Sequence, residues 1–295
     1  MHQEITPSMK EDKKTINDIL KKSAEREDKF ENLVLNLALK KIKGAQKDDE
    51  GVYYSKKKKH LITASKTIEG KYIIPEGVQV IDENAFWGCA YLEEVVIPAS
   101  VIEIGNEAFS RCLSLKSLVI PKSVTVLGNN PFVGLTSDEV TCESEKFIIE
   151  NKMLYSADKK TLYSCLTDAA MVIIPKSVEV IQDLAFSRRR NLKKVVIPEG
   201  VRTIGSDAFS DCDALEEVTI PSTVETIESY AFAECDRLRT VTFVGEVKDM
   251  SRRAFSDCDQ LRHIYVPVGN REKTIKQLHF SEENDDIVIE KEVEK

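Results

Sequence analysis

The chain has 295 residues, 42 Lys and Arg against 50 Asp and Glu, and a formal charge of -8. Hydrophobic residues make up 42% and charged residues 31%, the composition of a globular chain, and no run approaches the roughly 18 apolar residues of a membrane span, which argues against membrane insertion. Residues 1–60 hold 15 Lys and Arg against 11 Asp and Glu, leaving 27 against 39 for the rest; an acidic body repels a phosphate backbone, so nucleic acid is not the expected partner.

Met1–Pro7 lacks a positive region followed by an apolar stretch, so the sequence as written predicts a cytoplasmic location. Residues 11–43 read as helix. Ile16, Ile19 and Leu20, then Phe30, Leu33, Val34 and Leu37 recur at three- and four-residue steps, with a break at Glu25 to Asp28 that suggests two helices or a bend. Residues 1–51 therefore form an N-terminal helical segment, expected either to cover the first coil of the repeat array beginning at residue 52 or to dock a partner, with Gly44 to Gly51 as a polar connector. Next, Val52-Tyr53-Tyr54 and Leu61-Ile62 flank Lys56-Lys57-Lys58-Lys59, a hairpin whose basic tip is solvated.

A 23-residue block then recurs: Ile-Pro-x-Ser/Gly-Val-x-x-Ile-x-x-x-Ala-Phe-x-x-Cys-x-x-Leu-x-x-Val-x-Ile. Phe86, Phe109 and Phe132 are 23 apart, as are Phe186, Phe209, Phe232 and Phe255. A fixed period in the twenties means stacked coils that share one core. Val78, Val101, Val124, Val178, Val201, Val224 and Val247 form one inward column; Ile81, Ile104, Leu127, Ile181, Ile204, Ile227 and Met250 form another. The spacing of Ala108, Phe109, Cys112 and Leu115 predicts one helical face, and Gly105 allows the turn before it. Five of the seven cysteines, Cys89, Cys112, Cys212, Cys235 and Cys258, fall three residues after the repeat phenylalanine. They should stack inside as reduced, small apolar residues, and without Cys-x-x-Cys spacing they are not metal ligands. Seven or eight coils should share a single parallel β-ribbon.

Phe132 to Phe186 spans 54 residues in place of 23, which places an insertion around residues 136–170. Tyr155-Ser156, Leu162-Tyr163 and Ile173-Ile174-Pro175 match Tyr54-Ser55, Leu61-Ile62 and Ile73-Ile74-Pro75, so the insertion carries a second hairpin. The repeat domain covers residues 52–267. Residues 268–295 are a C-terminal cap and tail, with a helix over Arg271 to Leu278 and a short strand or frayed end after Asp285.

Ile97-Pro98-Ala99-Ser100-Val101, Ile204-Gly205-Ser206-Asp207-Ala208-Phe209 and Cys212-Asp213-Ala214-Leu215 closely resemble the BspA-type leucine-rich repeat proteins. The resemblance implies an α/β repeat, a leucine-rich repeat solenoid, and a surface or secreted protein acting in adhesion or protein recognition. It carries no catalytic residues and no cofactor. Pro131, Leu135 and Arg189 depart from the pattern around the insertion.

No Gly-rich phosphate loop, His-Glu-x-x-His or calcium loop occurs, so neither catalysis nor a metal site is expected. Strand alternation instead turns two columns outward. The first is Glu94, Ser117, Lys194, Glu217, Thr240 and His263; the second is Val96, Val119, Val196, Thr219, Thr242 and Tyr265. They form either a surface for a protein or peptide partner or a row of good strand formers and nothing more. The alternative function is an intracellular scaffold docking through the N-terminal helix.

Overall fold

The computed structural model describes residues 44–135, 139–279 and 285–292. The expected helix over 11–43 lies outside them. The rest is a β-solenoid with parallel strands, closed by a helix at Arg271–Leu278.

Each coil starts with a ribbon strand such as Leu92–Val96, turns at Pro98, makes a two-residue strand such as Glu103–Ile104, and returns through tight turns. Leu92, Val95 and Ile97 point inward and are buried. In place of the helical face expected at Ala108 to Leu115, the return is a run of turns with positive φ at Glu107 (50°) and Arg111 (61°). Such turns expose peptide groups sideways, and they are satisfied coil to coil: the Phe86 N–H donates to the Ala108 carbonyl at 2.7 Å, and Phe209 to Ala231 at 2.7 Å. Gly105 is needed for close approach, since a Cβ there would lie 2.5 Å from the Glu83 backbone nitrogen.

The columns are buried as expected. Phe86, Phe109, Phe132, Phe186, Phe209 and Phe232 are fully buried, and neighbouring rings stack, with centroids 5.1 Å apart for Phe86 and Phe109 and 4.7 Å for Phe186 and Phe209. All seven cysteines are free; of the five in the column, Cys258 is half-buried and the others buried. The reason for cysteine is visible: the Cys112 thiol donates to the Phe86 carbonyl at 3.2 Å, and Cys235 to Phe209 at 3.2 Å. A small apolar side chain with a weak donor fits that place.

The ribbon differs from expectation. It is two ribbons, of four strands (Gly70–Ile73, Leu92–Val96, Ser117–Ile120, Glu139–Cys142) and six strands (Met171–Ile173, Lys194–Val196, Glu217–Ile220, Thr240–Phe243, His263–Pro267, Val288–Lys291). Among the described residues, ten ribbon strands exceed the seven or eight coils counted from the repeat, because the hairpin units and the tail each add a strand without the Ala-Phe block.

The second face is also two sheets, each opening with antiparallel strands. Gln46–Lys47, within the expected connector, pairs with Tyr53–Tyr54, which pairs with His60–Thr63. Phe147–Glu150, Met153–Ser156 and Thr161–Cys165 repeat the device inside the insertion. The apolar core divides at the same point: along one strand, Leu154 packs into the first cluster while Met153 and Tyr155 pack into the second.

Candidate functional site

The outward ribbon positions are set by the pleat. Val95, Leu118, Val195, Val218, Val241 and Ile264 are buried, so their neighbours face solvent. Glu94, Ser117, Thr240, Thr242 and Tyr265 are half-buried, and Val96, Val119, Lys194, Val196, Glu217, Thr219 and His263 are exposed. The break divides the two columns: Glu94, Val96, Ser117 and Val119 lie on the first ribbon and the other eight on the second.

On the second ribbon the register is unbroken, with Lys194 opposite Glu217, Glu217 opposite Thr240, and Thr240 opposite His263. Beside them run Thr219, Thr242, Tyr265 and Ile289. His263 stacks on Tyr265 with centroids 5.8 Å apart, and the Lys291 ammonium sits 5.1 Å over the Tyr265 ring. On the first ribbon Lys71 pairs with Glu94 at 2.8 Å.

Sequence reasoning missed the most exposed apolar members of this face. Ile73 is 62% exposed, Ile173 61% and Met171 52%. Ile73 is opposite Val96, and Ile173 opposite Val196. The Ile-Ile-Pro runs at 73–75 and 173–175 carry the signal, being in repeat register with Val96-Ile97-Pro98 and Val196-Ile197-Pro198.

A second set of missed residues sits at the seam. The turns of the Phe132 coil lie directly against those of the Phe186 coil, with side chains doing what the backbone ladder does elsewhere. The Phe132 N–H donates to Asn130 Oδ1 at 3.1 Å, while Asn130 Nδ2 donates to the Leu184 carbonyl at 2.6 Å. Asn129 Nδ2 donates to Asp183 Oδ2 at 2.7 Å, and Gln182 Nε2 to Asn129 Oδ1 at 3.0 Å. Arg189, at a cysteine position, is buried and reaches Leu135.

The turn face stacks carboxylates. Burial, then repulsion from Glu107, Asp183, Asp211 and Glu234, pushes the Asp207 carboxyl up to about 7. Burial also lifts Asp213 to about 6, opposed by Arg190. Among the described residues, no group of three or more His, Cys, Asp or Glu is placed to hold a metal, and no helix is long and apolar enough to cross a membrane.

The BspA type leucine-rich repeat region matches over residues 65–167 and 155–285, in six copies. The chain belongs to that family. Among solved structures, it is similar to a leucine-rich cell surface protein from Faecalibacterium prausnitzii, with 24% identity, a TM-score of 0.55, and coverage of 67% of this chain and 59% of that one. A leucine-rich repeat protein from Eubacterium ventriosum gives 26% identity, a TM-score of 0.55, and coverage of 67% and 60%. The pneumococcal vaccine antigen PcpA gives 21%, 0.55, and 78% and 68%. The chain thus spans about three fifths of the first two relatives. Among curated proteins no match is found. Leucine-rich repeat solenoids of this family are typically non-catalytic and generally serve protein interaction.

Proposed function

We propose that the chain is a non-catalytic recognition module, adhesin-like, that binds a protein or peptide partner through the outward ribbon face and the segment inserted around residues 136–170. The observation that carries this reading is the apolar exposure in register along the ribbons: Ile73, Val96 and Val119 on one, Ile173 and Val196 on the other, at 36 to 62% of their full surface. Charged and hydroxyl side chains rim them. An apolar centre with a polar rim is how protein interfaces are built. The Faecalibacterium prausnitzii relative is a cell surface protein, which supports the adhesin-like reading and a surface location.

The test is capture of a partner on the intact chain, followed by variants. Charge reversal at Lys194 and Glu217 together with Tyr265→Ala should weaken binding at least tenfold. Retained affinity in these variants and on shortening the insertion, with loss on deleting residues 1–43, would overturn the reading and move docking to the N-terminal segment.

A further inference from the structure

Each half of the array presents a terminal strand at the seam, and both strands line one groove. Glu139–Cys142 is the last strand of the first ribbon and pairs with Ser117–Ile120. Phe147–Glu150 opens the sheet of the second half and pairs with Met153–Ser156. Between them Val140, Thr141, Cys142, Ile148, Ile149 and Ala157 line an open groove of about 530 Å³.

A terminal strand directs alternate N–H and C=O groups away from its single partner, and sheets usually blunt such an edge with lysine, proline or a bulge. Val140-Thr141-Cys142 and Phe147-Ile148-Ile149 have neither lysine nor proline, and their pairings run without a register shift. Ile148 is 37% exposed. The groove therefore offers apolar contact beside edge backbone groups, one of which, the Phe147 carbonyl, accepts among the described residues only the weak Cys142 thiol donor, at 3.5 Å, a combination matched by an extended peptide.

We propose that this groove takes an extended segment of a partner protein, which adds its backbone as a β-strand to these edges. The segment is short, because four strand residues span about 13 Å. Its side chains are mainly apolar, to meet Val140, Ile148 and Ile149, because nearby carboxylates already have partners, Glu145 with Lys122 at 2.8 Å and Glu150 with Lys159 at 2.5 Å. The proposal rests on the chain being a recognition module and names the inserted unit's ligand.

Octapeptides selected from a random display library on the full chain test it, with amide hydrogen exchange locating them. Expected are sequences rich in apolar and β-branched residues, exchange slowed at least tenfold within Val140–Cys142 and Ile148–Ile149, and affinity lost at least tenfold when alternate peptide amides are N-methylated. Ile148→Lys, at an exposed position, should abolish this binding with unchanged thermal unfolding. Three results would overturn the proposal: no peptide selected, equal binding by N-methylated peptides, or protection confined to the outward ribbon positions. The last would leave the ribbon reading standing while removing the groove.

Discussion

Arg189 donates through Nη2 to the Leu135 carbonyl at 2.8 Å, joining two coils across 54 residues of sequence. Its Nε is buried without a partner, and burial holds the guanidinium below its ordinary pKa. A buried charge so incompletely satisfied is destabilising relative to an apolar side chain of the same length.

Arg189→Met is therefore expected to unfold at the same or a higher urea concentration than the parent. Arg189→Ala, which loses the same bond to the Leu135 carbonyl and in addition leaves a cavity, should lose about 2 to 4 kcal/mol. Equal loss in both variants would show that the hydrogen bond, and not the volume, holds the seam.

Phe209 is fully buried and stacks 4.7 Å from Phe186 and 5.0 Å from Phe232. Phe209→Ala should cost about 3 to 5 kcal/mol, and Glu217→Ala on the exposed ribbon less than about 0.5 kcal/mol. Chemical denaturation of the pair checks this.

Burial pushes Cys89 up to about 12 and raises Cys112, Cys212 and Cys165. A thiol-specific reagent at pH 8 should modify Cys142 and Cys258 first, these being half-buried, and the remainder only in denaturant. Full native reactivity of Cys212 would contradict the stacked column.

Asp207 supplies a pH dependence. Its folded pKa of about 7 lies above the ordinary carboxylate value, so the native chain binds this proton more tightly than the unfolded one. Its contribution is fully present below about pH 4 and lost as pH rises through 7. Asp207→Asn keeps a side chain suited to the positive φ of 55°. The variant should gain thermal stability over the parent as pH goes from 4 to 8; a constant difference across that range would show that Asp207 is not perturbed.

The repeat columns were legible because one residue type at one period has one direction, as with Phe86 and Phe109. The turns were not. Ala108, Phe109, Cys112 and Leu115 have helical spacing, yet left-handed conformations at Glu107 and Arg111 yield the same inward face, and non-glycine residues there give no compositional signal. The seam was legible only as departures, Pro131, Leu135 and Arg189, since Asn129, Asn130 and Gln182 occur without period. The directions of the twelve ribbon residues followed from alternation, whereas the groove depends on where two sheets end.

That double ending has a mechanical consequence. The ribbon stops at Cys142 and restarts at Met171, and the second-face sheet stops at Leu127 and restarts at Phe147, so the chain itself, side-chain bonds and apolar packing hold the halves together. Pulled from its two ends, the solenoid would part there first, each half keeping its strand ladders intact, and a load would be felt at the seam before it reached any coil.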